Sequence, residues 1–452
     1  MDDITTQRRD GAVLLTDGPA IGPTPEQAAQ VLARGLGRRG FVRAAAGMGA
    51  AAAAVVGGSA APALAAPGGV MGGAAGGPVQ VLQPLRRPPA RETYVPCDPA
   101  TALWGRLPTR STDPVARVTS GTVLTMDTVS HEGVLEDQGK DPLDYFTSFG
   151  VSPDAVLQDA IGVAARTPHD GPGPHVVTGP VHVRGARPGD VLKVDVLELT
   201  PRVPYGVISN RHGKGALPGE YPEAWRGDPS LAEWFNVGGN VSVFTEVQSR
   251  QGRLVGAMPG PVPARFPLRP FLGMMGVARD TTALVDSVPP TEAGGNIDVA
   301  DVGVGATLYL PVRVPGALFF VGDPHMAQGD GEVALTAMEG SLRARLRLSV
   351  VRPGDGAPLI TAEQPFAETP EHWIPIGLSD QDGPEGGGNG TDLDVAVRQA
   401  VRHALAFLTE ELGMPGPVAY TYLSAATDFA VSQVVDRTTG VHALIRKADF
   451  GR

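Results

Sequence analysis

The chain has 452 residues, 42% of them hydrophobic, with 60 glycines, 43 prolines, one cysteine and a formal charge of −11. This is enough for one large or two ordinary domains with a real core, and its Gly/Pro richness with few aromatics favours turns and short strands over long helices. The acidic balance argues against nucleic acid, which needs a local Lys/Arg excess, and Cys97 alone excludes a disulfide framework or a cysteine-rich zinc site.

Residues 1–37 read as a leader. Arg38-Arg39-Gly-Phe41-Val42-Arg43 then precedes a small-residue apolar stretch from Ala44 to Val56, and Ala63-Leu64-Ala65 supplies a small-x-small cleavage pattern. That order makes 38–66 a twin-arginine export signal; the apolar run falls short of the ~20 residues of a membrane span. Such export implies folding before translocation and a secreted, periplasmic or cell-envelope location, with the membrane a partner only in transit. The glycine-rich start of 67–94 predicts a flexible lead-in, and 95–452 the folded domain.

Gly121–Val129 predicts a strand leading to Ser130-His131-Glu132. Ser152-Pro153 offers an N-cap and a first-turn proline for a helix to about Ala165. His169-Asp170 and His175 flank a Gly-Pro loop, whose histidines ordinarily satisfy local hydrogen bonds. Asp190–Leu199 and Ala306–Val314 predict further strands, with Asn210–Gly215 a basic glycine loop and Gly238-Gly-Asn240 a tight turn or a set of amide donors. In Ser341–Val350, apolar Leu342, Ala344, Leu346, Leu348 and Val350 alternate with Arg343, Arg345 and Arg347, a half-buried strand with a solvated face. Gly386–Gly390 is linker-like. A last helix is expected from Thr391, with Asp394 as capping-box partner, an apolar stripe from Val397 to Leu412, and Gly413 as its end. His403 within it reads as merely satisfied.

The densest chemistry lies between Gly322 and Glu332. The apolar run Ala317–Val321 reads as a buried strand that delivers Asp323 and His325, which share a face if the backbone stays extended. Asp330 and Glu332 would do the same if their segment is extended too. Glycines 322, 329 and 331 allow the turns needed to bring the pairs together. Oxygen-rich turns of this kind also cap strands or hold calcium.

The run Gly322-Asp-x-His-x-x-Gln-Gly-Asp-Gly-Glu-Val333, followed by Thr336-Ala-Met-Glu339, resembles the acetamidase/formamidase family. Gly294-Gly-Asn-Ile-Asp298 and Thr178-Gly-Pro-Val-His-Val-Arg-Gly-Ala-Arg-Pro-Gly-Asp190 are similar to two more of its motifs, in the same order. The resemblance covers roughly 95–450. It implies a mainly β fold with an α/β part, a β-sandwich body plus a smaller α+β portion. It also implies hydrolysis of small amides to carboxylate and ammonia, with some relatives opening lactams.

The chain lacks a serine elbow, a Gly-Gly-Ser-Ser-Gly-Gly run, His-x-His and His-Glu-x-x-His, and Cys97 precedes any clear strand-to-helix turn. Water activated by a metal, by carboxylates or by both remains. Imidazole and carboxylate suit zinc, with calcium the alternative ion. The expected metal ligands are Asp298, Asp323 and His325, with Asp330 as an alternative for Asp298. Glu332 is expected as general base, assisted by Asp330, and Asn296 as a donor to the amide oxygen. His131, Asn240 and Gln328 are expected to bind substrate. The rival readings are a lactam or other amide hydrolase and a non-catalytic β-sandwich that captures a metal or sugar; a homodimer stays open.

Overall fold

The computed structural model describes residues 79–86, 92–379 and 391–451. The expected leader, the export signal and the Gly386–Gly390 segment lie outside the described residues. Among the described residues, no helix is long and apolar enough to cross a membrane. Of the expected flexible lead-in, Val79 and Val81 pack against the core, and Leu82 exchanges backbone and side-chain hydrogen bonds with Arg202.

The body is mostly β. Its early strands are β1 (Thr122–Asp127), β2 (Val176–Arg184), β3 (Val191–Pro201), β4 (Tyr205–Asn210) and β5 (Val241–Arg250). Next come β6 (Phe271–Gly276), β7 (Gly294–Asn296), β8 (Thr307–Pro311), β9 (Phe319–Ala327) and β10 (Met338–Glu339). The last are β11 (Leu342–Pro353), β12 (Phe366–Glu368), β13 (His372–Leu378), β14 (Asp428–Gln433) and β15 (Gly440–Arg446). One open sheet runs β1-β11-β3-β8-β12-β13-β15-β14, and the other contains β5-β4-β10-β9-β6-β7 with β2 paired to β9. Inward-facing residues of both sheets, among them Leu124, Leu192, Val194, Val196, Leu346, Val181, Phe271 and Phe319, bury one common core. The expected sandwich-like, β-rich body is therefore present.

The expected strands all form, within a few residues of their predicted bounds. β11 lies between β1 and β3, inside the first sheet. Its arginines face acids across the sheet: Arg343 Nε is 2.6 Å from Asp127 Oδ1, and Arg347 Nη1 3.6 Å from Asp195 Oδ2.

The helices differ more. The one expected from Ser152 is broken: a 3-10 turn at Pro153–Ala155 precedes α-helix Gln158–Arg166, and Ser152 makes no side-chain cap. Val156 and Leu157 are extended and fully or nearly buried, so core packing overrides the local signal. The later helix spans Leu393–Ala406 and continues as a π turn to Glu411. Its cap is Asp392, whose side chain accepts from Asp394 and Val395 N–H, rather than a Thr391–Asp394 box. His403 Nδ1 is 2.6 Å from the Ile376 carbonyl, a satisfied helix histidine. Two further helices, Pro142–Ser148 and Gly416–Ala426, add to those expected.

Candidate metal centre and cleft

Segments far apart in sequence meet around β9, which lies inside the second sheet between β10 and β6. His131 follows β1, and His175 immediately precedes β2. Asp298 follows β7, Asp323 and His325 belong to β9, Glu332 lies in the turn after it, Glu339 sits in β10, and Asp436 caps the β14–β15 hairpin. The 329–332 turn is tied to that hairpin by Gly331 N–H donating to the Ser432 carbonyl at 3.2 Å. All eight side chains are buried.

Asp323 and His325 meet, with Asp323 Oδ2 2.9 Å from His325 Nε2, although Asp323 sits at φ 46° and interrupts the extended backbone expected there. β9 pairs with β10 so that Glu339 faces His325, its Oε1 3.1 Å from the same nitrogen. The other Asp323 oxygen, Oδ1, lies 3.3 Å from His131 Nδ1 and 3.7 Å from His175 Nε2. Asp298 Oδ1 is 3.8 Å from His325 Nδ1. Opposite Asp323, Gly273 leaves room for this packing: a Cβ there would stand 2.5 Å from Asp298 Oδ1, 2.7 Å from His325 Cε1 and 2.9 Å from Asp323 Oδ2.

Burial sets the electrostatics. It raises Asp298, with the Glu332 and Asp436 charges adding to the effect, and it raises Glu332 and Glu339 as well. Asp436 is pushed up to about 7, by burial and by the Asp323 charge. Burial opposes charge on His131, but Asp323, Glu132 and Glu339 outweigh it and raise the imidazole to about 10. His175 goes the other way, to about 4, because burial and the two neighbouring imidazoles prevail over Asp323. Asp323 itself is held well below the usual carboxylate range by the surrounding histidines despite its burial.

The donor set fits a divalent cation. Among the described residues, buried His131 Nδ1, Asp323 Oδ1, Glu339 Oε2 and both oxygens of Asp298 make no well-formed hydrogen bond, an arrangement that is costly without a compensating charge. Ligating atoms of His131, His175 and Asp323 come within 4.8 Å of one another, as do those of Asp298, Asp323 and His325, and those of Asp298, Glu332 and Asp436. The cluster opens on a cleft of about 370 Å³ lined by His131, His175, Asp323, Glu332, Glu339 and Asp436, with Leu135, Pro172, Leu335 and Val435 as apolar wall.

Three expected residues stand elsewhere. Asp330 is exposed: the 329–332 segment is a turn, with Gly331 at φ 99° and Glu332 at φ 47°, so the two acids do not share a face. Asn240 is occupied outside the cleft, its Nδ2 donating to Asp137 Oδ2 at 2.9 Å and its Oδ1 accepting from His212 N–H. Gln328 does not line the cleft but orients His325: its Oε1 is 2.9 Å from His325 Nδ1, and its Nε2 donates to the Asp298 and Ser432 carbonyls. Asn296 lines the cleft, with Nδ2 donating to Asp436 Oδ2 at 2.9 Å.

Sequence reasoning favoured a plain loop role over a site role for His175, and gave no site role to Glu339 or Asp436. Glu339 is visible there only as part of a motif, and His175 as a loop histidine. Asp436, in Gln-Val-Val-Asp-Arg, carries no signal beyond that of a hairpin turn.

The Acetamidase/Formamidase family profile matches residues 170–287 and 275–446. A putative formamidase of Schizosaccharomyces pombe is 29% identical over 213 residues, 38% of this chain and 52% of that one, so the chain spans about half of that relative's length. The acetamidase of Mycolicibacterium smegmatis is 27% identical over 303 residues, 56% of this chain and 73% of that one. A Bacillus halodurans acetamidase crystal structure shares the fold with a TM-score of 0.56 at 22% identity, over 79% of this chain and 98% of that one. By the extent of the profile match, the chain belongs to the acetamidase/formamidase family.

Proposed function

We propose that the chain hydrolyses the C–N bond of small linear amides to a carboxylate and ammonia, with a divalent ion, zinc in the first place, held by His131, His175 and Asp323. The observation that carries this reading is the convergence of three imidazoles and five carboxyl groups in one buried cluster, six of the eight lining one cleft, in a chain of this family. His131 and His175 line the cleft whereas His325 does not, which favours their triad as the one that reaches substrate. Donors at about 2.1 Å from a tetrahedral ion lie about 3.4 Å apart, near the 3.3 and 3.7 Å seen here. Bound zinc supplies a water acidified toward pKa ~7 and a polarised amide carbonyl.

The chain's own groups move the protons. Glu332, on the cleft wall with its proton affinity raised by burial, takes a proton from water and delivers it to the leaving nitrogen. Asp436 and Asp298, next to it, hold and return protons, and Asn296 Nδ2 orients Asp436. Burial of the cluster removes bulk water from these transfers and strengthens each charge interaction.

A serine route is disfavoured by geometry. Ser432 Oγ is 2.8 Å from His442 Nδ1, and His442 Nε2 is 3.2 Å from Asp301 Oδ2, a triad-like chain. Yet Ser432 is 1% exposed and lines no part of the cleft.

Ammonia release from formamide, acetamide and a small lactam, with metal analysis of the same preparation, tests the reading. Release from a linear amide that stops on chelation and returns with zinc is expected; tight metal binding without release from any amide would make the protein a binder. Export through the 38–66 segment belongs to the same reading, and Arg38→Lys with Arg39→Lys is expected to retain the protein in the cytoplasm.

A further inference from the structure

We propose that the centre holds two divalent ions, bridged by the carboxylates of Asp323 and Glu339, with His131 and His175 on the cleft-facing ion and His325 on an inner one. This rests on the reading that the cluster binds metal, and goes beyond the single ion that reading needs.

The two oxygens of Asp323 address different imidazoles. Oδ1 stands 3.3 Å from His131 Nδ1 and 3.7 Å from His175 Nε2, whereas Oδ2 is 2.9 Å from His325 Nε2. Glu339 straddles the same gap: Oε1 lies 3.1 Å from His325 Nε2, and Oε2 4.0 Å from His131 Nδ1. Donors about 2.1 Å from one ion sit about 3.0 Å apart at right angles, which matches the Asp323–His325–Glu339 edges. Gln328 Oε1 is 2.9 Å from His325 Nδ1. An N–H donated there leaves Nε2 as a lone pair aimed at both carboxylates.

Charge points the same way. Asp298, Asp323, Glu332, Glu339 and Asp436 are all buried, and where they form ion pairs the partner is a histidine. The neighbouring acid Glu132, 3.4 Å from His131 Nε2, differs in also being met by Arg211, Gln138 and Ser209. One divalent ion offsets two of the five charges and a second offsets four, which leaves less for shared protons to neutralise. Imidazole mixed with carboxylate suits zinc or manganese at both positions.

Elemental analysis of the purified holoenzyme is expected to give about two ions per chain, falling to about one in His325→Gln and in His131→Gln. Anomalous scattering from wild-type crystals is expected to show two peaks about 3.5–4 Å apart beside Asp323. A single ion per chain with one anomalous peak overturns the proposal even if either variant fails to fold. Two ions without amide release would leave it standing and sink the hydrolase reading; one ion with release would do the reverse.

Discussion

Gly273→Ala is the sharpest test of the convergence, because it adds one methyl and removes no ligand. The backbone at 273 is not in the left-handed region, so alanine is conformationally allowed. At an unobstructed strand position the change would stabilise by about 0.5–1 kcal/mol. Here the new Cβ would lie 2.5, 2.7 and 2.9 Å from Asp298, His325 and Asp323 atoms. Restoring ordinary contact requires displacements of roughly 0.5–1 Å in side chains that a metal centre holds to within about 0.5 Å. Overpacking costs about 1–3 kcal/mol, and misplaced ligands cost roughly 10–100-fold in metal affinity. The variant is therefore expected to melt several degrees lower than wild type, and to lose metal to a competing chelator at roughly 10–100-fold lower chelator concentration. Melting curves with and without zinc, and a chelator titration followed by elemental analysis, measure both. A variant that melts at or above the wild-type temperature with unchanged metal affinity would show that the three side chains do not close over Gly273.

Glu332→Gln is expected to lower kcat for acetamide by about 10²–10⁴-fold while metal content is retained, read by ammonia release. Ser432→Ala is expected to keep kcat/KM close to that of wild type, since a buried serine outside the cleft is no nucleophile; abolition of activity in a folded variant would restore the serine route. Asp330→Asn is expected to leave activity and melting temperature nearly unchanged, as an exposed turn residue should. In metal-free protein, Asp436 binds its proton more tightly folded, to about pH 7, than unfolded, near 3.9. Its stabilising contribution is full below about pH 4 and lost as pH rises through 7, a few kcal/mol at most. Chelated protein should therefore melt lower at about pH 8 than at about pH 5, with zinc reversing the order; pH-independent melting of the chelated form would contradict this.

Much of the fold was legible in local pattern. The alternation along β3 and β11 tells which residues turn inward, because one buried face imposes a period of two. It also anticipated that Asp323 and His325 would meet on β9, although Asp323 sits at φ 46° and interrupts the extended backbone. It failed one turn later, where Gly331 and Glu332 take left-handed backbone and separate Asp330 from Glu332. Nothing in the local pattern distinguishes a turn from a strand when glycine permits both. What the tertiary structure alone decided is which distant groups share the pocket. His131, His175, Glu339 and Asp436 reach Asp323 only because β2 and β10 pair with β9 and a hairpin from the other sheet docks on the 329–332 turn. Strand pairing across long separations is set by the burial of a common core, and it leaves no periodic trace around any one of those residues.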